Sequence, residues 1–204
     1  MLDGWARRQL DPPLGAIAGK LAARGVPADA VTLVAFGLGM AAAAAVWAGW
    51  FLPALLLLLL SRLGDGLDGA VAKASRPTDR GGFLDIVLDF AFYGAVPLGF
   101  VLNEPSANGV AGAVLLFSFY VNGASFLAFA ALAAKRGMST EARGKKSIFF
   151  TTGLAEATET ILAFALMCVF PAWFPAIAYA FAALTLYTTF SRIVLAWRVL
   201  DDRR

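Results

Sequence analysis

Six apolar runs, each long enough to cross a bilayer, take up most of the 204-residue chain. A membrane helix needs roughly 17–25 such residues. The runs fall at residues 30–50, 52–74, 83–102, 110–134, 147–170 and 172–197. Backbone groups in hydrocarbon find no water, so each run must satisfy its own N–H and C=O groups as a helix. The spacing predicts an all-α polytopic membrane protein of six transmembrane helices, preceded by an N-terminal amphipathic interfacial segment. Composition agrees: 60% of residues are hydrophobic and 15% charged, against about 45–50% and about 25% in soluble domains. The length allows one domain, read as a juxtamembrane segment over residues 1–25 and a six-helix transmembrane unit over 26–204.

The positive charges follow the same frame. Arg7, Arg8, Lys20 and Arg24 precede the first run, and Arg62, Lys73, Arg76 and Arg80 lie around the end of the second. Lys135, Arg136, Arg143, Lys145 and Lys146 separate runs four and five, while Arg192, Arg198, Arg203 and Arg204 close the chain. All 17 Lys and Arg residues thus map to one side, and the opposite loops carry only Glu104. The positive-inside rule puts both termini in the cytoplasm, in the inner membrane if the source is bacterial. Residues 1–25 read as two interfacial helices broken at Pro12-Pro13, anchored by Leu2, Trp5, Leu10, Leu14, Ile17 and Leu21. They lack the 7–15-residue apolar stretch of a cleavable signal. Trp50, Phe51 and Trp173 fall at the non-cytoplasmic edge, where aromatic belts form.

Two absences narrow the chemistry. The chain has no histidine and one cysteine, Cys168 in an apolar run. That excludes Ser-His, Cys-His and His-zinc mechanisms and any intrachain disulfide, leaving carboxylates, Lys, Arg, Tyr and bound metal.

Residues 61–90 read SRLGDGLDGAVAKASRPTDRGGFLDIVLDF. Asp65 and Asp68 are three apart, Asp85 and Asp89 four apart, and on a helix each pair shares a face. The intervening RPTDRGG supplies a tight turn, which makes runs two and three antiparallel neighbours and lets the four carboxylates converge near the cytoplasmic end. Bare anions cannot be gathered in a partly desolvated site, and intramembrane carboxylates are costly enough to mark function. Hard oxygen donors suit Mg²⁺, Mn²⁺ or Ca²⁺, and two such ions suit a pyrophosphate reaction. Around them Gly64, Gly66, Gly69, Ala70, Ala72 and Ala74 keep a face open, either for helix packing or for a ligand; for Gly69, beside Asp68, ligand access is expected. Asp79 reads as a solvated turn residue.

The pattern Asp65-x-x-Asp68-Gly69-x-x-Ala72-Lys73, then Gly81-x-x-x-Asp85-x-x-x-Asp89, resembles the signature of the CDP-alcohol phosphotransferase family, D-x-x-D-G-x-x-A-R followed by G-x-x-x-D-x-x-x-D. Two features depart from it. Lys73 stands where the family has Arg, keeping charge without the planar fork, and the gap to Gly81 is seven residues. Asp29 also stands where relatives often carry Asn. The resemblance implies an enzyme of phospholipid biosynthesis: a CDP-linked donor, usually CDP-diacylglycerol, gives its phosphatidyl group to a small alcohol and releases CMP. It implies that Asp65, Asp68, Asp85 and Asp89 bind Mg²⁺ or Mn²⁺, as two ions. Asp65, Asp68, Gly69, Ala72, Lys73, Gly81 and Asp85 would hold the CDP moiety, and Asp89 would also be the general base. A homodimer in the lipid bilayer is implied as well, and no nucleic-acid partner.

The acceptor is less constrained. Arg143-Gly144-Lys145-Lys146-Ser147 would suit a phosphate-bearing alcohol, anionic lipid head groups or plain positive-inside topology. Glu156 and Glu159, expected two to three turns into the fifth run, would face the bundle and bind an acceptor or hold Arg192 or Arg62. Two other classes compete: an intramembrane prenyltransferase acting on a prenyl diphosphate, and a cation transporter. Against the first, both aspartate pairs flank one short turn. Against the second, they gather at one membrane face and no broken-helix repeat is visible.

Overall fold

A computed structural model describes residues 3–137 and 156–200, and among them every regular element is a helix. These are α1 (Asp3–Ala23), α2 (Ala28–Trp47), α3 (Phe51–Ala74), α4 (Asp79–Asn103), α5 (Pro105–Lys135), α6 (Ala157–Val169) and α7 (Phe174–Val199), with a 3₁₀ turn at Pro171–Trp173 before α7. Four of them are long and apolar enough to cross a membrane: α2, α4, α5 and α7 with its leading turn. The 24-residue α3 has the length, but its second half carries Arg62, Asp65, Asp68 and Lys73. The described part of α6 is 13 residues. The expected basic segment at 143–147, Thr151 and Thr152, Leu2, and the terminal Arg203 and Arg204 lie outside the described residues, as do the side chains of Trp5 and Arg7.

The helices alternate in direction, and three hydrogen bonds tie matching ends together. Arg80 of α4 donates to Asp29 of α2 at 2.6 Å, and Arg136, just past α5, donates to the Leu200 carbonyl after α7 at 2.8 Å. At the opposite end Asn103 donates to the Trp47 carbonyl at 3.1 Å. The charged ends of α2 and α4 therefore lie together, as do the basic ends of α5 and α7.

The expected break at Pro12-Pro13 is absent. α1 runs through both prolines as one helix, since proline's fixed φ is itself helical and what is lost is two N–H donors and some straightness. α1 packs on α3, and its Ala18 is buried. A Cβ at Gly66 would come 3.1 Å from Leu14.

A second difference shapes the site. α3 and α4 are not close-packed neighbours; α2 packs tightly against both. Small residues permit this. A Cβ at Gly64 on α3 would stand 2.8 Å from the Ala35 Cβ on α2, and one at Gly99 on α4 would stand 2.6 Å from the Ala43 carbonyl oxygen. Close backbone approach of this kind is how helices gain packing energy in lipid. Gly64, Gly66 and Gly99 are thus packing residues, and a gap is left between the charged halves of α3 and α4. Below it the core closes with Phe92, Phe119, Phe164 and Phe181 in edge-to-face contacts. Toward the far end Phe51, Phe100 and Phe174 stack at 5.8 and 4.8 Å. Phe51 is therefore part of an internal stack, whereas Trp50 and Trp173 stay exposed as belt residues would.

Candidate active site

The turn after α3 is built by its own side chains. Ser75 donates back to the Val71 carbonyl at 2.8 Å, Pro77 cannot continue a helix, and Thr78 caps α4 by accepting from the Gly81 N–H at 3.0 Å. This short connection brings Asp85 opposite Asp65 and Asp68. One carboxylate oxygen from each of the three lies within 4.8 Å of the others. Asp68 is 5% exposed, and its Oδ2 is buried without a hydrogen-bond partner. A carboxylate clustered with two others, with one oxygen orphaned, is unfavourable unless a cation completes it. The residues fit a divalent ion: three hard oxygen donors with no softer ligand beside them.

Asp89 is placed differently from the expectation. It does not join that trio; its Oδ1 accepts a 2.7 Å hydrogen bond from the Nη1 of Arg62. The same nitrogen lies 3.4 Å from Asp65. Arg62 is held on every side. Its Nη2 donates to Ser61 Oγ at 3.2 Å, Ser61 donates in turn to the Ala35 carbonyl at 2.7 Å, and the guanidinium lies 3.8 Å from the centroid of the Phe92 ring. A cation over an aromatic face in a desolvated place contributes about 2 kcal/mol. The chain thus links α2, α3 and α4 through one buried arginine. An Arg three residues before Asp65 gave a helical-spacing signal that sequence reading passed over, because its second partner is 27 positions away.

Two cavities meet the cluster. The first, of about 610 Å³, is lined by Asp29, Thr32, Asp68, Gly69, Ala72, Gly81 and Asp85, with Arg76 and Arg80 also at its wall. Gly69 has nothing within 4 Å of where a Cβ would be, so its open face serves the cavity and not packing. Lys73 is exposed and is not among the lining residues; Arg76 and Arg80 bring the positive charge. Arg80 is anchored on Asp29 by two bonds, of 2.6 and 3.2 Å, which neither residue's position in the sequence announced.

The second cavity, of about 580 Å³, lies against the other flank of α4. Its wall includes Asp89, Tyr93, Tyr120, Asn122, Glu156 and Arg192. Arg192 Nη1 donates to Asn122 Oδ1 and Ser125 Oγ at 2.9 and 2.8 Å, fastening α7 to α5. The glutamates differ from the expectation. Glu156 is the N-cap of α6 and Glu159 its third residue, and the two form a reciprocal capping box. Such a box satisfies two N–H groups that a helix start leaves open, so these residues begin the described helix instead of sitting turns inside it. Arg62, one of the partners considered for these glutamates, pairs with Asp89 and Asp65.

An all-helical membrane bundle with an aspartate trio beside one cavity and a fourth aspartate at the wall of another defines a class, and comparison with known proteins agrees on which. The sequence matches the CDP-alcohol phosphatidyltransferase family over residues 26–198, and the chain belongs to that family of transferases. It is 49% identical to the inner membrane protein YnjF of Escherichia coli over 193 residues, covering 95% of this chain and 94% of that protein. It is 30% identical to the archaetidylinositol phosphate synthase of Methanothermobacter thermautotrophicus over 200 residues, covering 95% and 91%. The crystal structure of the phosphatidylinositol phosphate synthase of Mycobacterium tuberculosis with CDP-DAG bound superposes with a TM-score of 0.70 at 20% identity. That match covers 90% of this chain and 93% of that one and establishes the shared fold. Membership disposes of the prenyltransferase and transporter alternatives. The protein is a membrane-embedded transferase of phospholipid biosynthesis.

Proposed function

We infer that this enzyme moves a phosphatidyl group from CDP-diacylglycerol to a polar alcohol in the second cavity, releasing CMP. The observation that carries this reading is the division of the aspartates between two cavities. Asp68 and Asp85 line the first and Asp89 the second. A donor pyrophosphate on one side and a hydroxyl on the other would meet at the cluster. The solved relative that bears CDP-DAG supports the donor assignment.

In this reading Asp65, Asp68 and Asp85 hold a divalent metal, Mg²⁺ or Mn²⁺. When bound, the ion supplies Lewis-acid stabilisation to the pyrophosphate oxygens. Gly69, Ala72 and Gly81 offer a small-residue wall to the nucleotide, and Arg76 and Arg80 neutralise phosphate charge at the mouth. Asp89 takes the proton from the acceptor hydroxyl, whose oxygen attacks the lipid-side phosphorus. A new P–O bond forms to the acceptor, the bridging P–O bond breaks, and CMP leaves. With no histidine in the chain, a carboxylate is the available base.

Arg192, Asn122, Tyr93 and Tyr120 in the second cavity suit a polyhydroxy or phosphate-bearing acceptor. The names of two relatives, both inositol-phosphate lipid synthases, support the phosphate-bearing class. Six crossings, counting α3 and the α6 region, both termini and the site on the cytoplasmic side, and a homodimer complete the proposal. So does the division into an interfacial segment at 1–25 and a catalytic bundle at 26–204.

The test is Asp89→Asn. The variant should still bind CDP-diacylglycerol in a metal-dependent way while CMP release falls by about 10²–10⁴-fold, the contribution of a general base. Turnover retained within a few-fold would remove Asp89 from that role.

A further inference from the structure

The second cavity changes character along its length in a way that a water-soluble acceptor does not use. Depth in it can be counted along the helices, because α4 and α5 are antiparallel neighbours. A Cβ at Gly112 would meet Val101 and one at Gly123 would meet Phe90, an equal step along both helices. At about 1.5 Å per residue, Arg192 lies about 11 Å and Asp89 about 15 Å inside the charged helix ends, whereas Phe119 and Leu116 lie about 24 and 28 Å inside them. Gly94, Leu116 and Phe119 make the deep half apolar. Thr160 and Thr185, which also line the cavity, donate to carbonyls four residues back at 2.9 Å. The wall also reaches the lipid-facing surface. Ile86 and Phe90 are each 41% exposed and Tyr120 75%, and all three line the cavity from helices long and apolar enough to cross a membrane. Polar groups at the shallow end, an apolar interior beyond them and sideways access from the bilayer match the layout of a phospholipid.

We propose that the preferred acceptor is itself a membrane lipid, a glycerophospholipid whose head group carries a free hydroxyl. This deepens the functional reading above and rests on it. Arg192 directs Nη1 to neutral oxygens of Asn122 and Ser125, which leave its charge for the lipid phosphodiester. The head-group hydroxyl gives its proton to Asp89, and its oxygen attacks the lipid-side phosphorus of the donor. One P–O bond forms, the bridging P–O bond breaks and CMP leaves, so the product carries two phosphatidyl units on one head group. A water-soluble alcohol presents the same hydroxyl without an apolar body to set against Gly94, Leu116 and Phe119. It therefore binds less well and reacts more slowly at equal concentration.

Full-length protein in nanodiscs tests this, with CDP-diacylglycerol and Mg²⁺ or Mn²⁺ supplied and CMP followed. One set of discs is phosphatidylcholine, whose head group has no hydroxyl, with glycerol, glycerol 3-phosphate or inositol phosphate in the buffer. The other contains phosphatidylglycerol or phosphatidylinositol at the same total concentration and no soluble alcohol. The second set should release CMP at least about tenfold faster and yield a doubly phosphatidylated head group by mass spectrometry. Equal or faster release with the soluble alcohols would overturn the inference and leave the functional reading standing. No CMP from either set refutes that reading as well. Gly94→Leu adds a second check. Nothing lies within 4 Å of a Cβ at Gly94, so leucine occupies the deep half without displacing the protein. KM for the lipid acceptor should rise by at least about tenfold, with KM for CDP-diacylglycerol unchanged. A rise for the donor instead would assign the apolar half to the donor's own chains, and no change in either would leave that half without a lipid; both results overturn the proposal. The comparison of discs on the wild type decides even if the leucine variant does not fold.

Discussion

Gly39 on α2 is the point where the packing and the chemistry meet most tightly. A Cβ built there falls 2.6 Å from Phe92 Cδ2 and 2.9 Å from Ser61 Oγ, where ordinary contact begins at 3.4 Å. Phe92 would have to withdraw by about 0.8 Å, yet it is fully buried and its ring packs edge-on against Tyr93 and Phe164. Overpacking of this kind costs about 1–3 kcal/mol. Phe92 and Ser61 also help to hold Arg62, which bonds Asp89, so the strain reaches the Asp89 carboxylate. Gly37, two residues earlier on the same helix, has nothing within 4 Å of its would-be Cβ, and alanine there should be neutral or helix-favouring by up to about 1 kcal/mol. Thermal unfolding of Gly39→Ala and Gly37→Ala in nanodiscs compares them directly. At about 2–4 °C per kcal/mol for a chain of this size, Gly39→Ala should melt several degrees lower and lose turnover, while Gly37→Ala matches or exceeds the wild type. Equal melting of the two variants would refute the argument that α2 is seated by contact at Gly39.

Two further outcomes follow from the site. Asp68→Asn replaces the buried carboxylate of the trio, and should weaken divalent-metal binding by more than about tenfold, the lower end of what even supporting residues around a metal contribute; calorimetric titration of Mg²⁺ or Mn²⁺ reads this directly. Arg192→Met removes the cation of the second cavity, and should raise KM for the acceptor by about 10–150-fold, as loss of a charged hydrogen bond of about 1.5–3 kcal/mol would, with KM for CDP-diacylglycerol unchanged in steady-state assays.

The helical bundle was legible because hydrocarbon leaves a backbone few choices. The expected run at 83–102 matches α4 (Asp79–Asn103), and that at 52–74 matches α3 (Phe51–Ala74), to within a few residues. The convergence of Asp65, Asp68 and Asp85 was legible too, since i, i+3 spacing and a turn rich in Pro and Gly constrain a pair of helices tightly. Less could be read of what lies between helices. That α2 is the close partner of both α3 and α4 depends on small residues distributed over three helices, among them Gly39, Gly64 and Gly99. The Arg62–Asp89 and Arg80–Asp29 bonds depend on rotation of one helix against another, which spacing along one chain does not encode. The depth of Glu156 and Glu159 in the fifth run was misread for a different reason. Their three-residue separation fits a pair deep in a helix and a capping box equally well, and the two are told apart only by where the helix starts.

Metal-assisted transfer from a CDP-linked lipid to an alcohol is tested most directly by one assay. The purified protein in nanodiscs is incubated with CDP-diacylglycerol and a panel of polyols and phosphorylated polyols, with Mg²⁺ or Mn²⁺ or with chelator, and CMP is followed. Release that requires both the divalent ion and a hydroxyl acceptor is the predicted result. Absence of CMP with every acceptor, or release that continues unchanged in chelator, would contradict it.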